Sequence, residues 1–129
     1  MTGVDTNILV RYFVQDDPQQ AERASRFVAS RSADDPGLVN HIVLCEMVWV
    51  LENAYRIPRE SISGALEAIM RSDRLKVADP QDAWTALREY QDGADFADAL
   101  IAAVNQRLGC ERTVTFDRKA ARRPGFQAL

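Results

Sequence analysis

A short strand that turns directly into a helix begins the chain and is the key to its fold: TGVDTNILVRYF, residues 2–13. Its first four residues favour a strand, and the apolar spacing from Ile8 to Phe13 is that of one helix face. Further short strands, each separated from the next by helical segments, are predicted at 38–39, 75–77, 113–116 and 126–128. Strands that alternate with helices are typical of a parallel sheet covered on both faces. We therefore predict an α/β fold whose central parallel sheet has four to five strands.

Local signals mark where the helices begin and end. Asp17 and Asp79 are each followed by a proline, the pattern of an N-cap and a first helical residue. Gly93 and Gly109 are predicted to end the next two helices, because glycine adopts the backbone conformation found there. The segment 42–55 is more densely apolar than a surface helix, which predicts a central one.

The length and composition are those of one globular domain. A chain of 129 residues falls within the ~100–200 residues of a typical domain, so a single domain over residues 1–129 is predicted. Hydrophobic residues make up 47% and charged residues 27%, which excludes a disordered chain. The formal net charge of −3 argues at first against nucleic acid. However, 14 of the 16 basic residues are arginine, the better phosphate ligand, so the total does not settle the question.

Nothing in the sequence indicates a membrane or an exported protein. The longest apolar run is 99–104, far below the ~20 residues that span a bilayer. The first residues carry neither a basic nor an apolar signal segment, so we expect a cytoplasmic protein. With His41 as the single histidine and no cysteine pair at zinc-binding spacing, a zinc site or a serine–histidine couple is disfavoured. Any chemistry must then come from carboxylates.

Two acidic residues interrupt strongly apolar runs. Glu46 is the single polar residue of 42–51, and Asp98 is the single polar residue of 96–104. Neither has a lysine or arginine three or four positions away. We therefore expect both near the core, where an unpaired charge costs several kcal/mol and needs a partner from elsewhere in the fold.

Two further acidic residues, Asp5 and Asp117, end predicted strands. Each is also a candidate helix N-cap, and that alternative stays open. Binding sites of parallel sheets form at this carboxyl edge. The four acids are separated by 41, 52 and 19 residues, so only the tertiary fold can bring them together. If they converge, their hard oxygen ligands suit Mg²⁺ or Mn²⁺ rather than zinc.

A magnesium ion held by carboxylates has a direct use in phosphodiester hydrolysis. Such an ion activates a water and neutralises the charge that builds on the phosphate, so no side-chain nucleophile is needed. Without the four acids the formal charge would be +1 instead of −3. The acidity is therefore better explained by a localised metal site than by a surface that repels nucleic acid.

Four segments of the chain together resemble the PIN domain of VapC-type toxins: VDTNILVRYF at 4–13, VLCEMVWVL at 43–51, GADFADALIAA at 93–103 and VTFDRKAAR at 114–122. The resemblance implies a three-layer α/β/α sandwich. It also implies a Mg²⁺-dependent endoribonuclease, with Mn²⁺ as a substitute, that is the toxin of a type II (VapBC) toxin–antitoxin system. RNA would be the substrate, and a cognate VapB-type antitoxin and a second copy of the chain would be the partners.

The resemblance also assigns roles to individual acids. Asp5 and Asp98 correspond to direct metal ligands. Glu46 corresponds to a third acid that reaches the metal directly or through water, and Asp117 to a fourth that closes the site. Asp95 resembles an additional acid of many members, although a helix N-cap is the alternative for it.

Polar and basic residues beside these acids have supporting roles in the same hypothesis. Thr6, Asn7 and Thr115 resemble small polar residues that orient the ligands, with capping and turn bonding as the alternative. Four basic residues follow the last acid and are candidates for RNA-phosphate contacts, with a solvated surface as the alternative: Arg118, Lys119, Arg122 and Arg123.

Two other functions fit part of the pattern. A catalytically silent PIN-like module that binds RNA or protein would keep the fold without needing a metal. A phosphoaspartate receiver is disfavoured, because Thr6 and Asn7 follow the first acid where a receiver carries an acidic pair.

Overall fold

The chain forms two compact units, residues 1–78 and residues 79–129, in a computed structural model that describes all of residues 1–129. Together they contain six α-helices, five β-strands and one 3-10 turn. None of the six helices combines the length and the apolar composition needed to cross a bilayer. A single domain over the whole chain stays a prediction.

The first unit contains three strands and four helices: β1 (Thr2–Gly3), α1 (Thr6–Phe13), α2 (Pro18–Ala29), β2 (Gly37–Val39), α3 (His41–Asn53), α4 (Arg59–Arg71) and β3 (Leu75–Val77). Its strands form a parallel sheet in the order β1-β2-β3, with Thr2 opposite Gly37 and Gly37 opposite Leu75. The parallel direction predicted from the alternation of strands and helices is confirmed for this sheet. Each crossover contains helices, as parallel neighbours require.

The core of the first unit is built from helix stripes and the central strand. Leu9, Leu44, Met47 and Leu66 come from three helices, and none of their surface is exposed. Val39 of β2 is equally buried. Gly37 is required by close packing, because a Cβ at this position would lie 2.8 Å from Cγ2 of Val4. This packing fixes the end of β1, from which the first candidate acid projects.

The second unit contains two helices followed by two strands: α5 (Pro80–Gln91), α6 (Phe96–Arg107), β4 (Thr113–Thr115), a 3-10 turn (Ala120–Arg122) and β5 (Phe126–Ala128). β4 and β5 are parallel, with Thr113 opposite Phe126. All five predicted strands are therefore present, as a three-stranded sheet in the first unit and a two-stranded sheet in the second.

An aromatic pair and an ion pair hold the second unit together. Tyr90 of α5 and Phe96 of α6 are buried, and their rings meet edge to face with centroids 5.9 Å apart. Asp82 is also buried, and its carboxylate accepts a hydrogen bond of 2.7 Å from Nε of Arg107. These contacts fix the direction in which α6 presents its first turn.

Most of the predicted helix boundaries are confirmed. Asp17 caps α2, and its side chain accepts a backbone N–H of the first turn at 3.1 Å. Gly93 and Gly109 follow α5 and α6 with φ of 105° and 99°. Asp79 differs, because it precedes α5 in a left-handed conformation (φ 42°) and makes no side-chain cap bond. Its carboxylate lies instead 3.6 Å from the guanidinium of Arg107.

α3, which its dense apolar run predicts to be a central helix, is buried on one face only. Ile42 and Trp49 are 70% and 64% exposed, and Glu46 between them is also exposed. These three positions are spaced four and three residues apart, so they lie on one face of the helix. The opposite face carries the buried residues Val43, Leu44, Met47, Val48 and Leu51. Glu46 therefore lies at the surface rather than near the core, which relieves the cost of its charge.

Candidate metal centre

Asp5 lies where β1 passes into α1. It is exposed and is the N-cap of α1, so the capping role left open for it is real. Its Oδ1 accepts the backbone N–H of Thr6 at 2.8 Å. The second carboxylate oxygen, Oδ2, accepts no hydrogen bond from the protein. Capping therefore holds the side chain in place while one oxygen stays open to a ligand.

Thr6 connects this strand end to α3. Its hydroxyl donates a hydrogen bond of 2.7 Å to Oε1 of Glu46. The fold thus brings Asp5 and Glu46 to the two sides of one threonine, although 41 residues separate them. Asn7, the other polar residue predicted to orient ligands here, is exposed and its side chain forms no hydrogen bond.

Asp95 and Asp98 lie together at the start of α6. Asp95 is the N-cap, and its Oδ2 accepts the backbone N–H of Asp98 at 3.0 Å. The capping alternative for Asp95 is therefore correct, and capping also holds it beside Asp98. Asp98 is half-buried, and its carboxylate takes part in no hydrogen bond or ion pair. Its oxygens are thus available to a ligand.

Asp117 follows β4 and is fixed by the turn that begins there. Its Oδ1 accepts the backbone N–H groups of Lys119 at 2.8 Å and Ala120 at 3.1 Å. Its own N–H donates to the hydroxyl of Thr115 at 3.0 Å. Thr115 therefore orients this acid through the backbone, while Oδ2 of Asp117 accepts no hydrogen bond.

Three candidate acids of the second unit, Asp95, Asp98 and Asp117, interact electrostatically. Partial burial raises the pKa of Asp98 above its ordinary value, and the neighbouring charges of Asp95 and Asp117 raise it further. No lysine or arginine forms an ion pair with any of the three. A bound cation would relieve this repulsion, and carboxylate oxygens are the ligands that Mg²⁺ and Mn²⁺ prefer. The donor set therefore fits the metal predicted from the sequence.

The basic residues after Asp117 do not share one environment. Arg118, Lys119 and Arg122 are exposed and form no ion pair. Arg123 differs, because its Nη2 donates to Glu89 at 2.6 Å and to Asp92 at 3.0 Å. Its side chain is only 23% exposed. Because both carboxylates bind its Nη2, Arg123 is less available for a phosphate contact than the three exposed cations.

A groove of about 540 Å³ opens beside Asp5 in the first unit. One of its lining residues is Arg23 of α2, which the sequence analysis did not single out. A signal for it was present, because Arg23 has no acidic residue three or four positions away on its helix.

Replacement of Thr6 tests whether its hydroxyl positions Glu46. We expect Thr6→Val to weaken Mn²⁺ binding by about 10- to 100-fold, the usual cost of losing a residue that orients a metal ligand. Thr6→Ser keeps the hydroxyl and should bind Mn²⁺ as the wild type does, as measured by isothermal titration calorimetry. Normal binding by Thr6→Val together with weaker binding by Thr6→Ser would show that the methyl group matters rather than the hydrogen bond.

Comparison with known families identifies the chain. The family model described as PIN domain matches residues 4–125, which include all four acids and Asp95. A comparison with curated proteins found no match. The family match confirms the predicted fold class, a PIN-like α/β fold with parallel strands. PIN domains are generally nucleases that use a divalent metal and bind RNA. The chain belongs to the PIN domain family.

Proposed function

We propose that this PIN domain is a Mg²⁺-dependent endoribonuclease and the toxin component of a type II toxin–antitoxin system. The observation that carries the nuclease is that Asp98 is half-buried beside Asp95 with no partner for its carboxylate. Its burial first, and then the charges of Asp95 and Asp117, raise its pKa, and a bound cation would relieve that repulsion. Asp5 and Glu46 are arranged around Thr6 in the first unit, and the resemblance to VapC-type toxins supports a metal-binding role for them as well. The toxin role is supported by the resemblance of the four sequence motifs to VapC-type proteins.

The proposed chemistry follows from what the ligands can do. A bound Mg²⁺ or Mn²⁺ would supply an activated water and neutralise the charge on the phosphodiester. Asp98 would bind a metal as the carboxylate, and because burial and the charges of Asp95 and Asp117 raise its pKa, acidic pH should weaken its contribution. Asp117 and Asp5 present one oxygen each, because backbone N–H groups bind the other. No histidine or serine is needed as a nucleophile.

Three cations near Asp117 support binding of the RNA backbone. Arg118, Lys119 and Arg122 are exposed, and no carboxylate neutralises them. Contacts with phosphates are independent of base sequence, so these residues would position the RNA without selecting it.

Protein partners are part of the same proposal. The resemblance to VapC-type toxins supports a VapB-type antitoxin, a homodimer and a cytoplasmic location. Ile42 and Trp49 on the exposed face of α3 provide apolar surface of the kind that protein interfaces use.

Metal-dependent cleavage of RNA tests the proposal. Purified protein should cut total RNA into fragments with a 5′-phosphate in Mg²⁺ or Mn²⁺, and should leave the RNA intact in EDTA. Cleavage that persists in EDTA would contradict the metal mechanism. Absence of cleavage under every metal condition would favour the alternative, a silent module that binds RNA or protein.

A further inference from the structure

We propose that the groove lined by α1 and α2 binds a nucleotide of the RNA substrate and that Arg23 contacts a phosphate of that nucleotide. This inference rests on the proposed function, because it takes RNA as the substrate. It assigns a substrate-binding role to Arg23 and to the groove beside Asp5, which the sequence analysis did not single out.

The size and position of the groove suit a nucleotide. Its volume of about 540 Å³ lies within the ~300–1,000 Å³ of typical ligand pockets. Asp5, a proposed metal ligand, forms part of its lining. If a metal at Asp5 holds one phosphate of the RNA, the neighbouring nucleotide needs a surface beside it. This groove offers such a surface, because Asp5 at the end of β1 forms part of its lining.

Arg23 has no carboxylate partner. It is exposed on α2 and forms no ion pair. The nearest acid in sequence, Glu22, is taken by Arg26, whose Nη2 lies 2.5 Å from Oε1 of Glu22. Three and four positions away from Arg23 there are glutamine, arginine and phenylalanine side chains only. No carboxylate therefore neutralises the charge of Arg23, and its guanidinium is available to a ligand.

The other cation of the groove is already occupied. Arg11 donates to Asp16 at 2.8 Å, to the hydroxyl of Tyr55 at 2.9 Å and, through Nε, to Oε1 of Gln20 at 2.7 Å. With its guanidinium held at three points, Arg11 serves as a fixed wall rather than as a phosphate ligand. This leaves Arg23 as the cation of the groove that can bind a phosphate.

The rest of the lining combines free amides with apolar surface. The side chain of Asn7 forms no hydrogen bond, and Gln20 uses only its carbonyl oxygen, which leaves its NH₂ group free. Ile8 and Phe27 contribute apolar side chains. A flat base with acceptors at its edge fits such a surface, because RNA bases are recognised by hydrogen bonds at their edges and by apolar contacts on their faces.

Charge favours an RNA segment over a basic peptide in this groove. A peptide that directed an arginine or lysine into the groove would place that charge in the pocket that Arg23 lines, and like charges repel. A phosphate is attracted by Arg23, and the nucleotide leaves Asp5 free for a metal.

An RNA-binding measurement with paired arginine variants tests the inference. Asp98→Asn protein serves as the background, so that the RNA is not cut, and binding of a fluorescein-labelled single-stranded RNA is followed by anisotropy. Arg23→Ala should raise Kd by about tenfold. It should also reduce the dependence of log K on log salt by about 0.7, as expected for one lost phosphate contact on a single strand. Arg88→Ala removes the same charge from an exposed arginine of α5 and, since it breaks no ion pair, should change Kd by less than about twofold.

Three outcomes would overturn the assignment of Arg23. Equal weakening in Arg23→Ala and Arg88→Ala would indicate a general charge effect. An unchanged Kd in Arg23→Ala would show that Arg23 does not bind the RNA, and would favour a protein partner for the groove. Failure of the background protein to bind the RNA at all would also contradict the inference. Cleavage by the wild-type protein in Mg²⁺ is measured separately, so a failed nuclease proposal would appear as bound but uncut RNA.

Discussion

Asp98→Asn is expected to lower the rate of Mg²⁺-dependent RNA cleavage by more than about 100-fold, because losing a direct ligand should exceed the 10- to 100-fold cost of losing a residue that only orients one. Among the five candidate metal ligands, Asp98 is the one whose carboxylate has no hydrogen-bond or ion-pair partner in the protein. Its oxygens are therefore the most available to a metal. The rate is measured as the initial cleavage of a labelled RNA in Mg²⁺. Glu111→Gln, at an exposed position of the same unit, should cleave as the wild type does.

The same variant should have the opposite effect on stability when no metal is present. Because the pKa of Asp98 is raised in the folded state, its ionised carboxylate destabilises the fold at neutral pH. That penalty disappears as the pH falls through the folded pKa and Asp98 takes up a proton. In EDTA at neutral pH, Asp98→Asn should therefore unfold at a higher urea concentration than the wild type, and the difference should shrink toward acidic pH. Lower stability of the variant at neutral pH would contradict the repulsion assigned to Asp98.

Phe96→Ala is expected to destabilise the protein by about 3–5 kcal/mol, the usual cost of deleting a buried phenylalanine ring. Phe96 is 1% exposed, packs edge to face on Tyr90 and is the first residue of α6. It lies between Asp95 and Asp98, so the cavity left by the ring should also loosen the first turn that carries both acids. Urea unfolding followed by circular dichroism measures the loss.

A second phenylalanine provides the control for this measurement. Phe116 is 84% exposed and lies next to Asp117 in sequence. Phe116→Ala should change the free energy of unfolding by no more than about 0.5 kcal/mol, because little of its surface is buried. If the two alanine variants were equally destabilised, packing of Phe96 on Tyr90 could not be what holds the start of α6.

Much of the fold was predictable because its signals are local. Each strand is a short segment between helical or turn-forming stretches, and all five appear where expected. Gly93 and Gly109 end helices because glycine adopts positive φ without steric cost. Asp17 caps α2 because its side chain reaches the N–H groups of the next turn. Asp79 does not cap its helix with its side chain, because its carboxylate faces Arg107, a residue 28 positions away.

The candidate site was predictable in part for the same reason. Asp5 and Asp117 follow strands, and Asp95 precedes a helix. The local backbone conformation of each acid is therefore set by nearby residues. For these acids the sequence is compatible with capping and with metal binding. The structure makes them compatible, because each cap bond uses one carboxylate oxygen and leaves the other open.

Local chemistry in the sequence determined where the elements begin and end, and it determined which acids stand at strand and helix ends. Tertiary packing alone decided that Glu46 faces solvent and accepts the hydroxyl of Thr6, that Arg123 is occupied by Glu89 and Asp92, and that Arg23 is not paired. The physical reason is that exposure and ion pairing depend on groups that the folded chain brings from distant positions. The apolar run around Glu46 predicts a helix. Which face of that helix is exposed to solvent is decided by the elements that pack on its opposite face.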